Sequence, residues 1–232
     1  MDLTALLLAD SRFPGGGHAH SGGVEEAAAI GRLSTVDELA AFLCGRLRTA
    51  GLLAAVFAAA AAHAARRRTA PEFWPRLSAE LDARTPSPAQ REASRAQGNA
   101  VLRALRALPS ANPPSQLDTI FPPAGSRPHH CVALGVAVGT AGGAPLDAAL
   151  VAAYLSVSGP ASAAVRLLGL DPFAVNAVVM ALAADIRAVA GQAADTAATD
   201  PADLPAPGAP GLDLLAEAHR HKHQKEVRLF AS

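Results

Sequence analysis

The apolar residues recur along this chain with the spacing of α-helices. Leu39, Phe42 and Leu43 follow a period close to 3.6 residues, and Val101 and Leu105 continue the same pattern in a later segment. No segment alternates apolar and polar residues over a useful length, so no β-strand is predicted. The pattern therefore predicts an all-α fold, a single domain of about eight to ten packed helices.

Breaks in this pattern divide the chain into three parts. Helices are predicted over roughly 3–9, 24–30, 35–47, 51–66, 89–108, 130–141, 146–157, 162–168 and 171–190, with a last one from 212. Thr35 and Glu38 have the spacing of a capping box. The proline-rich stretch 109–128 predicts an irregular loop, and 195–211, which almost lacks bulky apolar residues, predicts a flexible linker. The resulting division is an all-helical core domain at 1–194, a linker at 195–211, and a C-terminal helix with a partner-binding tail at 212–232.

The composition favours helices and excludes several classes of protein. Half of the residues are hydrophobic but only 4% are aromatic, as expected of closely packed helices. The formal net charge is zero, which argues against nucleic-acid binding and favours self-association. Cys44 and Cys131 make neither a disulfide framework nor a zinc site. The apolar run 51–65 is short for a bilayer span, and the N-terminus lacks a basic signal-peptide region, so a cytoplasmic protein without membrane contact is expected.

Signatures of common enzyme classes are missing from the sequence. A P-loop requires a lysine after its second glycine, and the two lysines, Lys222 and Lys225, both lie near the C-terminus. The sequence also has no HExxH, CxxC or GxSxG motif. These observations predict a partner-binding protein with no catalytic residues and no cofactor.

The glycine-rich segment Gly15–Gly23 has two interpretations. It is either a turn that reverses the chain, with glycine supplying positive φ, or a surface on which a partner's backbone approaches closely. His18 and His20 within it could bind nickel through imidazole nitrogen. Two imidazoles alone make an incomplete metal site. Arg166, in an apolar neighbourhood, requires a carboxylate or a helix C-terminus as partner, and a structural role is favoured for it.

The C-terminal segment also allows alternatives. His219 and His223 are four residues apart and share a helix face, which is the spacing of a metal site. A solvated basic end is the favoured interpretation, because neighbouring cations repel a dication. The final residues include Arg228, Leu229 and Phe230, which have the character of interface anchors. Binding to a partner is favoured over packing of this tail on its own core.

Five segments, in order, resemble the UreF family of urease accessory proteins. An apolar helix runs into a proline and glycine turn, followed by a histidine, serine, glycine and glutamate, and the chain ends on an Arg-Leu-Phe-x-Ser motif. The resemblance rests on Leu6–Gly16, His20–Glu25, Arg91–Gly98, His130 with the glycine-punctuated helix after it together with Ser162–Leu167, and Arg228–Ser232. The family usually has an aromatic residue where this chain has His18.

The resemblance implies a dimeric all-α scaffold that is not an enzyme. Such a protein bridges the accessory protein UreD, also called UreH, and the GTPase UreG, and the complex docks on apo-urease for GTP-dependent nickel insertion. The residues assigned to partner binding are Gly15, Gly16, Gly17, His18, His20, Ser21, Glu25, Arg166, Arg228, Leu229, Phe230 and Ser232. The alternative is a stand-alone nickel-binding chaperone, with His219 and His223 as weak metal candidates.

Overall fold

The computed structural model describes residues 3–15, 20–107, 114–123 and 125–229, with side chains omitted at 114–115 and beyond 222. This part of the chain is helical and contains no strand, which confirms the all-α prediction. Its helices outnumber the eight to ten expected. They are α1 Leu3–Ala9, α2 Val24–Ala29, α3 Val36–Arg46, α4 Leu52–Arg66, α5 Phe73–Ala83, α6 Pro88–Ala107, α7 Pro114–Ile120, α8 His130–Thr140, α9 Pro145–Leu168, α10 Pro172–Ala181, α11 Ala183–Asp195 and α12 Pro210–Leu229.

The alanine-rich helix α4 forms the centre of the core. It packs against α8, α9 and α11, and most of its residues are buried. Small residues allow the helix backbones to approach closely: a Cβ atom added to Gly135 would lie 2.2 Å from the carbonyl oxygen of Ala58, and one on Gly139 would lie 2.4 Å from that of Ala62. The glycines of α8 are therefore contact points with α4.

Helices α3 and α4 are continuous through a π-helical turn, Leu47–Gly51. The predicted capping box is confirmed at the start of α3, where Thr35 accepts a hydrogen bond from the Glu38 amide and Glu38 reaches back to the Thr35 amide. By length and composition, Val36–Arg66 and α9 could each cross a membrane. The expectation from sequence rested on the apolar run 51–65 alone, which is too short to span a bilayer. The continuous helix begins at Val36, fifteen residues before that run, and is long enough. In the structure, the apolar surface of α4 is covered by other helices.

Helix α9 runs through Pro160, where the sequence predicts two separate helices. Proline has no amide hydrogen to donate to the carbonyl four residues earlier, which here belongs to Ser156. The Nε atom of Arg46 donates to that carbonyl at 2.9 Å. The prediction of a break was wrong because a side chain from α3 replaces the missing hydrogen bond.

Two other segments differ from the predictions. The stretch predicted as an irregular loop contains α7, and the single helix predicted over 171–190 is two helices, α10 and α11, bent by 45°. The flexible linker predicted at 195–211 stays a prediction, although part of this segment packs against α5. Its Leu204 and Pro201 are buried, and Arg84 Nη2 donates to the carbonyls of Ala202 and Leu204 at 2.8 and 3.2 Å. A few apolar contacts and one arginine thus hold a segment whose composition is typical of linkers.

Candidate functional site

A cavity of about 600 Å³ brings several predicted site residues together. Gly15 and His20, on either side of the glycine-rich turn, lie on its wall, and Arg166 at the end of α9 lines it as well. Residues of α1, α6, α8 and α10 complete the wall. Gly16, Gly17 and His18 lie outside the described residues, so their assignments stay predictions.

The second half of the turn is held in place by Arg46. Gly22 and Gly23 have φ angles of 63° and 98°, which is the left-handed region that favours glycine. Arg46 Nη1 donates to the Gly22 carbonyl at 2.8 Å, and a Cβ atom on Gly22 would lie 2.7 Å from a ring carbon of Pro160. At this end, the segment is a packed turn in which glycine is required by both conformation and space. Ser21 precedes it and is partly buried.

Two histidines on the cavity wall are neutral at pH 7. Burial, followed by the charge of His20, lowers the pKa of His130 to about 4, and burial lowers the pKa of His20. Neutral imidazoles can act as hydrogen-bond donors or acceptors and as metal ligands. Within the described part of the chain, however, no three His, Cys, Asp or Glu side chains are grouped so that they could hold a metal ion.

Helix α12 is docked on α2 and on the start of α6. Glu217 accepts hydrogen bonds from Ser87 Oγ at 2.6 Å and from the Ala89 amide at 2.9 Å, so this carboxylate caps the N-terminus of α6. These hydrogen bonds lower the pKa of Glu217. Lys222 Nζ lies 2.6 Å from the buried carboxylate of Glu26.

This docking places two of the candidate residues side by side. His219 Nε2 lies 4.0 Å from Glu25 Oε2, so a predicted metal candidate faces a predicted partner-binding residue. The side chains of His223, Arg228 and Leu229, and all of Phe230 and Ser232, lie outside the described residues. The assignments at the C-terminus stay predictions.

A polar network around the buried His129, which the sequence did not reveal, joins α5, α6 and the start of α8. His129 is 1% exposed, its Nδ1 lies 3.1 Å from Ser94 Oγ, and its Nε2 lies 3.0 Å from Asp82 Oδ1. Arg95 Nη2 lies 2.6 Å from the other oxygen of Asp82. Burial, then the charge of Arg95, lowers the pKa of His129 to about 4 despite the opposing effect of Asp82. His129 is therefore neutral, accepting from the serine hydroxyl and donating to the carboxylate.

The order of serine, histidine and aspartate resembles a hydrolase triad, but its surroundings favour a structural role. Ser94 Oγ also accepts a hydrogen bond from the His130 amide at 3.2 Å. None of Ser94, His129 and Asp82 lines the large cavity. The network instead fixes the central Arg91–Gly98 segment, and Gly98 allows the Pro128 carbonyl to approach it: a Cβ there would lie 2.1 Å from that oxygen. Asp82 and His129 are 47 positions apart in the sequence. No local sequence pattern relates residues at that distance, so the sequence could not have predicted this pair.

Helix α10 presents an apolar surface that the sequence analysis did not identify. Phe173 is 84% exposed and Met180 is 72% exposed, and the two residues are seven positions apart, on one helix face. The signal was present in the sequence, since every residue of this helix except Asn176 is apolar. A helix of that kind has more apolar surface than one core contact can cover.

Comparison with known proteins gives a consistent result over the whole chain. The family model UreF matches residues 33–183. A urease accessory protein UreF of Mycolicibacterium vanbaalenii is 45% identical over 99% of this chain and 98% of its own length. The protein of the same name from Mycobacterium sp. strain JLS is 43% identical over 99% and 98%, and that of Mycobacterium tuberculosis H37Rv is 42% identical over 98% and 97%. The chain belongs to the UreF family.

Proposed function

We propose that this chain is a cytoplasmic accessory protein for urease maturation, acting as a scaffold without catalytic activity of its own. The observation that carries the proposal is its similarity, over nearly the full length, to proteins named urease accessory protein UreF. The all-α fold and the absence of a P-loop from the sequence agree with a binding role. The burial of His129, the histidine of the serine–histidine–aspartate network, also agrees with it.

Within that role, we propose that the chain binds both the UreD/UreH accessory protein and the GTPase UreG and so bridges them. The resulting complex delivers nickel to apo-urease. Two features support separate binding surfaces. The wall of the cavity combines the glycine-rich turn with Arg166, and α12 packs against α2 and α6 and continues towards the C-terminus. A scaffold of this kind carries no nickel of its own.

A homodimer is supported by the apolar face of α10. Exposed apolar patches on soluble proteins mark interfaces, and large aromatic and methionine side chains are enriched there. Phe173 and Met180 leave most of their surface uncovered in the single chain. Replacing both by aspartate should convert the dimer to a monomer in size-exclusion chromatography with light scattering. Leu146→Asp, at a half-exposed leucine at the start of α9, is the matched control and should leave the dimer intact.

The function can be tested by complementation. A urease operon from which the UreF gene has been removed should regain urease activity and urease-bound nickel when this chain is co-expressed. A tagged copy should also retain UreD/UreH and UreG on an affinity column. Inactive, nickel-free urease in the presence of soluble, folded chain would contradict the proposal.

The stand-alone nickel chaperone predicts a different outcome. It predicts micromolar, stoichiometric nickel binding by the isolated chain that is lost when His219 and His223 are replaced by alanine. The scaffold proposal expects no stoichiometric nickel binding in equilibrium dialysis and no GTP binding in a filter assay.

A further inference from the structure

The charge of Arg46 is not neutralised by any carboxylate among the described residues. Its Nε and Nη1 atoms donate to the carbonyls of Ser156 and Gly22, at 2.9 and 2.8 Å. Burial lowers its pKa to about 10, and no acidic side chain contributes to that pKa. The guanidinium is therefore still protonated at pH 7. Carbonyl oxygens satisfy hydrogen bonds, but they leave the positive charge in place.

Arg46 also lines the 600 Å³ cavity, where the other charged side chains among the described residues are Arg166 and Asp10. Arg166 is on the same wall. The one acidic side chain there, Asp10, is held by Arg12, whose Nη2 atom and backbone amide lie 2.6 and 2.8 Å from its two oxygens. Among the described residues that line the cavity, two arginines face one aspartate, so positive charges exceed negative ones by one, and Arg46 is partly buried.

Neutral hydrogen-bonding groups surround these arginines. His20 and His130 are uncharged near pH 7, and Gln97, Tyr154 and Ser158 add amide and hydroxyl groups. Such neutral groups can donate hydrogen bonds to an anion without adding negative charge that would repel it. The cavity is much larger than the ~30 Å³ share of one water molecule, so an ion with several waters would fit.

From this arrangement we infer that the cavity is a binding site for a small inorganic oxyanion of the phosphate, sulfate or bicarbonate class, with Arg46 as its main charge partner. The free Nη2 hydrogens of a guanidinium whose other nitrogens bind carbonyls suit one oxygen of such an ion. This site lies in the cavity whose wall is proposed above as a partner-binding surface, but it goes beyond that function, and complementation of urease does not depend on oxyanion binding.

Gly159 offers the sharpest test because it lines the cavity and a Cβ atom there would have no heavy atom within 4 Å. Gly159→Asp places a carboxylate in the cavity, where it supplies the negative charge and repels an added anion. Gly159→Asn has nearly the same shape without the charge. Gly191→Asp, in α11, has equally open space away from the cavity and controls for adding a carboxylate to the chain.

Binding is measured by calorimetry and thermal unfolding with sodium phosphate, sulfate or bicarbonate against sodium chloride at equal ionic strength and pH. The wild type and Gly191→Asp should show saturable, one-site binding of at least one oxyanion and a matching rise in Tm. Gly159→Asp should weaken that binding at least tenfold, and Gly159→Asn much less. Arg166→Gln, at an exposed position on the rim, should weaken it by a smaller factor.

Two results would overturn the inference. One is a wild-type protein for which no oxyanion differs from chloride. The other is equal oxyanion affinity in the wild type and in folded Gly159→Asp, since a carboxylate within the cavity must compete with the ion. Arg46→Met is not the primary variant, because the same side chain holds Ser156 and Gly22.

Discussion

The neutral, buried His129 should make the fold sensitive to mild acid. The pKa of His129 is about 4 in the folded chain and near the ordinary 6.5 when the chain is unfolded. The unfolded state therefore binds a proton more readily than the folded state. As the pH falls below 6.5, protonation stabilises the unfolded state and the free energy of unfolding decreases. The contribution of this group to folding is fully present above pH 6.5, and it is lost progressively between 6.5 and 4.

The expected size follows from that difference in pKa. Each unit corresponds to ~1.4 kcal/mol, so the complete loss is ~3 kcal/mol, of which ~2 kcal/mol is lost by pH 5. Small domains have only ~5–15 kcal/mol of stability in total, so this is a large fraction. His130, whose pKa is also about 4, should add to the effect.

The measurement is urea unfolding at pH 7, 6 and 5, followed by circular dichroism and by fluorescence of Trp74, the single tryptophan, which is buried in the core. The free energy of unfolding should fall steeply across this range in the wild type. In His129→Gln it should be lower at pH 7, because the links to Asp82 and Ser94 are weakened, but less dependent on pH. The exposed His221→Gln is the control and should follow the wild type.

The reasoning would be refuted if the wild type and His129→Gln lost stability in parallel between pH 7 and 5. It would also fail if the wild type lost none. A parallel loss would mean that other groups titrate in this range and that the imidazole between Asp82 and Ser94 stays as easily protonated as in the unfolded chain.

Three further changes test separate parts of the structure. Gly98→Ala should lower the free energy of unfolding by about 1–3 kcal/mol or more, because its methyl group would collide with the Pro128 carbonyl; urea unfolding measures this. Glu217→Gln should loosen α12, because Ser87 loses a charged hydrogen-bond acceptor, and limited proteolysis near residue 208 should become faster with little change in the core; unchanged cleavage would contradict the assigned cap. Truncation after Glu226 should leave the fold intact but abolish retention of UreD/UreH on the affinity column, and full retention would show that the last residues are not a partner-binding tail.

Much of the helical framework could be predicted because it depends on local spacing. The capping box at Thr35 and the helices α1, α2 and α8 were placed within a residue or two. These elements are determined by neighbours three or four positions apart, which the sequence shows directly. The all-α class follows from the same information.

The break predicted at Pro160 was wrong because a residue distant in sequence compensates for the proline. By local rules, Pro160 indicates the end of a helix. The helix continues because Arg46, which is 110 positions from Ser156 in the sequence, donates a hydrogen bond to the Ser156 carbonyl. The segment 195–211 resembles a linker by composition, and Arg84 holds it through two carbonyls. Local rules correctly describe what each segment prefers alone. They do not include a hydrogen-bond partner that the fold brings from elsewhere.

The candidate site shows the same limit. The sequence identified Gly15, His20 and Arg166 separately, and the fold places all three on one cavity wall. It did not identify Arg46, which looks like an ordinary basic residue in the last turn of α3 and is well explained by the helix dipole. Its burial beside Gly22 depends on how α9 crosses the π-helical turn, and no single segment determines that crossing.

Arg46 connects features that would otherwise be unrelated. Because Pro160 cannot bond the Ser156 carbonyl, that carbonyl needs a donor, and Arg46 supplies it while its second nitrogen holds the Gly22 carbonyl. Gly22 also has a positive φ, and because it has no Cβ, Pro160 packs directly against the turn, where a Cβ would collide with the ring. The turn cannot move away from α9 without breaking one of these hydrogen bonds of the partly buried guanidinium. A partner that binds the glycine-rich turn therefore acts on α9 and on the cavity at the same time.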